Sequence, residues 1–185
     1  MDNSAPHRTF AQAMDFVLRF EGGFVDDPAD PGGATNLGIS LRYARSKGRL
    51  LDLDRDGDVD AADIRLITKE IASDLYRRDF WDAVQGDDLP AAIAVVAFDA
   101  AINCGPARSI RRMQGAVGAS QDGVLGPRTR LAISRATPGP VVAEMLAQRF
   151  VHHANLPTWR NFGVGWARRC AALGLFAATF LETGR

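Results

Sequence analysis

The 185-residue chain is poor in cysteine: Cys104 and Cys170 are its only two, and they lie far apart. Two thiols exclude a disulfide framework and a Cys-rich zinc site, so buried free thiols are expected and the core must hold without staples. Net charge is also absent, with 22 Lys/Arg against 22 Asp/Glu, so total charge selects no partner. The start, Met-Asp-Asn-Ser-Ala-Pro-His, lacks the basic and then apolar run of a signal peptide, which predicts synthesis in the cytoplasm. No stable membrane insertion is expected either, because the apolar stretch Cys170 to Leu181 is too short to span a bilayer. Strand signals are few, and internal repeats and low-complexity tracts are missing.

What remains is helical periodicity in a chain that is 46% hydrophobic and 24% charged, the profile of a globular, mainly α protein. Phe10, Met14, Val17, Leu18 and Glu21 recur at helical spacing over residues 8–21, before a Gly22-Gly23 stop. Residues 24–40 are rich in Asp, Pro and Gly and predict turns with a short hairpin. Residues 41–47 read as a short helix. Ile64, Ile67, Ile71 and Leu75 mark an amphipathic one. Further helices are expected over 91–103, 107–117, 126–136, 141–154 and 165–181, and a polar break over 83–90. Two lobes follow, 8–90 and 91–185. Their charge is uneven: residues 1–90 carry 18 Asp/Glu and 11 Lys/Arg, whereas residues 91–185 carry 4 acidic residues and 11 Arg. The basic half suits an anionic polymer, or the two halves offset each other.

Glu21 is the first candidate for chemistry. At the apolar face and negative end of a helix, burial and the dipole both disfavour a charged carboxylate, as a general acid requires. Gly22 and Gly23 leave room for a bulky substrate. The segment Glu21-Gly-Gly-Phe-Val-Asp-Asp-Pro-Ala-Asp30-Pro-Gly-Gly-Ala-Thr35-Asn-Leu-Gly-Ile-Ser40 closely resembles the signature of glycoside hydrolase family 108, bacterial and phage N-acetylmuramidases with a lysozyme-like fold. The resemblance implies a two-lobed lysozyme-like helical fold with a small hairpin near residues 24–40. It implies Glu21 as the acid and cleavage of the β-1,4 bond between N-acetylmuramic acid and N-acetylglucosamine. Phage-type lysozymes place an Asp nine residues after the Glu and a Thr a little further on. Asp30 and Thr35 hold those places, to activate water or stabilise the transition state and to hold the water. Asp-Pro-Gly-Gly is equally strong turn chemistry, and Asp26 and Asp27 are the other carboxylates in reach. Leu37 stands where relatives are expected to carry an aromatic residue.

Asp52, Asp54, Asp56, Gly57, Asp58, Val59, Asp60 and Asp63 fit a twelve-position EF-hand loop, acidic at one, three, five and nine, with Gly at six and an aliphatic residue at eight. Asp58 would give its backbone carbonyl, and Asp63 replaces the usual Glu at twelve. A structural Ca²⁺ is expected, with no cofactor needed for the chemistry. The alternative is a solvated acidic turn.

Phe98-Asp99-Ala-Ala-Ile-Asn103-Cys104-Gly105 resembles a second motif of the same family, with Cys104 where His is common. Asp99 and Asn103 share a helix face and either contact substrate or brace the bundle. Gln121-Asp-Gly-Val-Leu-Gly-Pro-Arg-Thr129 looks like the Asp-Gly-x-x-Gly-Pro-x-Thr pattern of helical peptidoglycan-binding modules, in a segment made basic by arginines. Trp159, Asn161, Phe162 and Trp166 line a sugar groove or belong to the core. His152-His153 has no metal-ligand pattern. The expected partner is therefore the peptidoglycan glycan strand, reached after release through a holin or another export route. No nucleic-acid partner is expected, because a reading helix and basic–aromatic interleaving are missing. The competing readings are a lytic transglycosylase and a non-catalytic wall-binding protein.

Overall fold

The structure, a computed structural model, describes residues 4–26 and 32–182. The described chain is mainly α and divides into two compact units, residues 14–76 and residues 1–13 with 77–185, the first boundary falling inside helix α1 (Ser4–Leu18). Residues 77–90 thus leave the lobe 8–90 to which the sequence assigns them. The cause is Trp81, fully buried in the larger unit. Its ring meets Phe10 at 5.4 Å and Phe98 at 5.5 Å, edge to face, and its indole N–H donates to Asp87 at 2.8 Å. Gly86 lies so close beneath the ring that a Cβ there would come within 2.4 Å of it.

In the smaller unit α1 closes with tightened turns, Arg19 and Phe20 amides donating to Phe16 and Val17 carbonyls at 3.2 and 2.9 Å. Strands β1 (Thr35–Asn36) and β2 (Ile39–Ser40) form the expected hairpin, with Thr35 opposite Ser40 and Asn36 opposite Ile39. Its two turn residues, Leu37 and Gly38, have φ of 50° and 78°, the left-handed pair that a two-residue type I′ connection requires. Helix α2 (Leu41–Ser46) is capped by the Ser40 hydroxyl, which accepts from the Tyr43 amide at 3.2 Å.

The single helix expected through Ile64 and Leu75 is two, α3 (Ala61–Leu66) and α4 (Lys69–Tyr76), with Ile67 extended between them. Buried Asn36 explains the break. Its amide donates to the Ile64 and Ile67 carbonyls at 3.1 and 3.2 Å, which takes these acceptors out of a continuous helical ladder. Thr68 restarts the helix, its hydroxyl accepting from the Ile71 amide at 3.3 Å.

The larger unit is built on α5 (Ala91–Cys104), buried on all sides from Ala92 to Ala101. Around it lie α6 (Pro106–Ala116), α7 (Pro127–Arg135), α8 (Pro138–Ala154) and α9 (Trp159–Glu182). Three of these begin with a proline at the first helical position, where its missing N–H costs nothing. Helix α9 starts six residues before the expected Gly165.

The Asp122-Gly123 to Thr129 motif serves the architecture. Buried Gln114 of α6 donates to Asp122, the Val124 carbonyl and Thr129 at 2.7, 3.0 and 3.2 Å and accepts from the Gly123 amide at 2.9 Å.

One carboxylate interrupts the apolar surface of α5. Asp99 is 1% exposed and accepts from Arg149 of α8 and, at 2.7 and 2.9 Å, from Arg169 of α9. Burial alone would raise its pKa, but the two guanidinium groups outweigh it and hold the carboxyl below the usual range. Its contribution to stability is therefore present above the ordinary Asp value and lost as pH falls below it. Asp99→Asn is expected to destabilise by about 3–5 kcal/mol, since it strands two buried cations. Melting temperature should fall by roughly 10 °C at pH 7, with the gap to wild type narrowing below pH ~4. Equal melting curves at pH 7 would remove this cluster as the brace.

Candidate active site

Glu21 lies three residues past the end of α1, in a bend, and not on the last helical turn as the periodicity suggests. The helix-dipole effect expected for a residue on the last turn does not apply at this position. Glu21 is half-buried. Gly22 and Gly23 beside it have open space where a Cβ would stand, as the sequence suggests. The strand-like residue Val25 then exchanges two backbone hydrogen bonds with Thr35, at 2.7 and 2.8 Å. The segment that carries Glu21 is thus fastened to the hairpin.

The hairpin turn meets Glu21 directly. A Cβ built on Gly38 would stand 3.0 Å from Glu21 Oε2 and 2.1 Å from the Tyr76 hydroxyl. The carboxyl and the phenol therefore converge on one point that only a glycine leaves free. The Tyr76 hydroxyl also donates to the Leu37 carbonyl at 3.2 Å, and the ring is 1% exposed. Tyr76 escapes a sequence reading because it lies at the end of an amphipathic helix, far along the chain from Glu21. The one signal was Gly38 in a two-residue turn.

The other candidates fall as follows. Thr35 is half-buried in β1, its hydroxyl donating to the Gly33 carbonyl at 3.4 Å. Asp26 is exposed. Asp27 and Asp30 lie outside the described residues. Asp99 is corrected as a substrate contact: it is buried and occupied by Arg149 and Arg169. Exposed Asn103 donates to the Asp99 backbone carbonyl at 2.9 Å. The bracing role is the one these contacts fulfil.

The acidic loop closes on Asp63. This carboxylate is 1% exposed. One oxygen accepts from the Leu53 and Asp54 amides at 2.6 and 3.3 Å, the other from the Asp60 amide at 2.9 Å. Burial pushes its pKa up, yet the amides of Asp60, Leu53 and Asp54 prevail and hold it low. Asp60 in turn caps α3, accepting from the Ala62 amide at 2.6 Å. Asp52 accepts from Gly57 at 3.2 Å through one oxygen, while its other oxygen is buried with no hydrogen-bond partner. Asp56 accepts from Asp58 at 3.1 Å. Asp52, Asp54 and Asp63, and again Asp58, Asp60 and Asp63, each bring one ligand oxygen within 4.8 Å of the others. The Asp56 charge, with burial and the charges of Asp60 and Asp63, raises the Asp58 pKa.

A family model described as Glycosyl hydrolase 108 matches residues 14–105, which include Glu21, the hairpin, the acidic loop and Tyr76. A solved structure, "Structure of Brucella abortus SagA", is 38% identical, with 95% of this chain and 97% of that chain covered and a TM-score of 0.81. No curated protein matches the chain. The mainly α architecture is thus lysozyme-like. With the family segment spanning the Glu21 site and the likeness extending over nearly the whole chain, this protein belongs to the glycosyl hydrolase 108 family.

Proposed function

We propose that the protein is an N-acetylmuramidase, hydrolysing the β-1,4 bond between N-acetylmuramic acid and N-acetylglucosamine in peptidoglycan, with Glu21 as general acid. The observation that carries the reading is the placement of Glu21: half-buried, beside the Tyr76 phenol, with open space over Gly22 and Gly23. A general acid must be shielded enough to keep its proton and open enough to reach the glycosidic oxygen. Glu21 donates the proton to the leaving sugar oxygen as the bond breaks. Asp30 is proposed as the carboxylate that activates water or stabilises the oxocarbenium-like transition state, and Thr35 as the hydroxyl that holds that water. The protein would be made in the cytoplasm and reach the wall through a holin or another export route.

The acidic loop is proposed as a structural calcium site in the same unit. The donor set fits: hard carboxylate oxygens in two groups sharing Asp63, and a buried Asp52 oxygen without a hydrogen-bond partner. Asp52, Asp54, Asp56, Asp60 and Asp63 would hold the ion with the Asp58 carbonyl. The ion supplies charge neutralisation, and the loop enters α3 through Asp60 and Asp63.

Four outcomes test these readings. Glu21→Gln should lower lysis of purified sacculi by at least about 100-fold while leaving the melting temperature within a few degrees. Wild-type products should carry reducing N-acetylmuramic acid ends, whereas anhydro ends would assign a lytic transglycosylase instead. Gly38→Ala, forced into a left-handed backbone against Tyr76 and Glu21, should cut activity at least about tenfold; full activity would contradict the convergence on Gly38. Calcium at saturation should raise the melting temperature by about 5 °C or more, and Asp52→Ala should abolish the rise. No shift at millimolar calcium, with activity unchanged by chelation, would leave the loop a solvated turn.

A further inference from the structure

The backbone that carries Glu21 does little to aim its side chain. Gly22, at φ 42°, and Gly23 follow it directly, and glycine restrains a chain least of all residues. Both have open space where a Cβ would stand. The strand-like fastening comes further on, at Val25. The direction of the Glu21 carboxyl therefore depends on what its far end meets, and that is the hairpin turn and Tyr76.

Tyr76 closes α4 with its ring 1% exposed. Phenylalanine would fill the same volume, so packing alone does not call for the hydroxyl, which must find a partner where it is buried. It donates to the Leu37 carbonyl at 3.2 Å. That bond ties the phenol to a turn whose two residues, Leu37 and Gly38, are already fixed at φ 50° and 78°. The hydroxyl oxygen then stands 2.1 Å from where a Gly38 Cβ would be, and Glu21 Oε2 and Cγ stand 3.0 and 3.1 Å from the same point. Two polar atoms so close to one point lie within reach of each other, directly or through one shared water. A rigid polar tip is thus placed beside the mobile end of the side chain proposed to transfer the proton.

We propose that Tyr76 is a positioning residue: its hydroxyl, anchored on the Leu37 carbonyl, holds the Glu21 carboxyl over Gly38 in the direction from which it reaches the glycosidic oxygen. The inference rests on Glu21 as general acid and adds the group that aims it. Placement of a reacting group within a fraction of an ångström acts on the chemical step, so the role belongs in kcat and not in substrate binding.

The test is a double-mutant cycle on the full chain, with soluble peptidoglycan oligomers as substrate and release of reducing ends as the readout. Tyr76→Phe keeps the buried ring and removes only the hydroxyl. It should lower kcat at least about tenfold and leave KM within about twofold. In a Glu21→Gln background the same substitution should change the residual rate by less than about twofold, because the group that Tyr76 aims is already gone. A loss of folded protein would scale both rates alike, so the excess loss in the Glu21 background is the part that acts through Glu21. An equal loss in both backgrounds, a raised KM with unchanged kcat, or an unchanged kcat would each overturn the positioning role while leaving Glu21 as the acid. If Glu21→Gln keeps the wild-type rate, the general-acid reading fails, and the role of Tyr76 falls with it.

Discussion

A carboxylate sealed inside an apolar helix sets the terms for the larger unit. Asp99 lies within the all-round buried stretch of α5 and receives guanidinium groups from α8 and α9. Leucine-like packing would let helices slide by a fraction of a turn at small cost. A buried charge that must meet two specific cations does not allow that, because any displacement strands a charge in a low-dielectric interior. Three helices are therefore fixed in rotation and height by one side chain. Cys170 shares this environment, and burial pushes its thiol pKa up, which keeps it an inert core residue. His153 on α8 is held neutral for the same reasons, burial first and the Arg149 charge next, with its pKa lowered to about 4. A protonated imidazole there would add a cation to a cluster already in excess of positive charge.

The smaller unit uses amide and hydroxyl contacts to the same end. Asn36 ends one helix by taking its carbonyls, and Tyr76 secures the turn by donating to Leu37. Leu37 itself is held at φ 50°, a backbone state that a non-glycine residue adopts reluctantly. Strain of this kind persists only where the surroundings overdetermine it. Here the surroundings are the hairpin ladder, the Tyr76 bond and the glycine that follows. All of these bear on the point where Glu21 sits.

Much of the helical layout was legible in the sequence, because periodicity and punctuation are local signals. Proline at the first position of α6, α7 and α8, and the apolar run of α5, are of this kind. The hairpin was legible from the Asp, Pro and Gly content of residues 24–40. The break at Ile67 was not, since the apolar pattern runs straight through it and the cause is an asparagine 31 residues away. Glu21 was legible as a residue but misplaced, because the last turns of α1 tighten and stop at Leu18 before the Gly-Gly signal. Asp99 was legible as one of two alternatives, and only burial distinguishes a brace from a contact.

The acidic residues of the described chain occupy distinct environments, and each environment limits what its carboxylate can do. Asp99 is buried and doubly ion-paired, so its proton is inaccessible and its charge is spoken for. Asp63 is buried and saturated with backbone amides, which fix it as a carboxylate that shapes a loop. Asp122 accepts from Gln114 and the Val124 amide, and its pKa is lowered by them. Asp58 is exposed among like charges and carries no burden of packing. General acid chemistry fits none of these settings: it needs a carboxyl shielded from bulk water and within reach of a large substrate. Glu21 has the intermediate burial and the open approach over two glycines. The Tyr76 phenol converges with its carboxyl on Gly38, where a side chain would displace both.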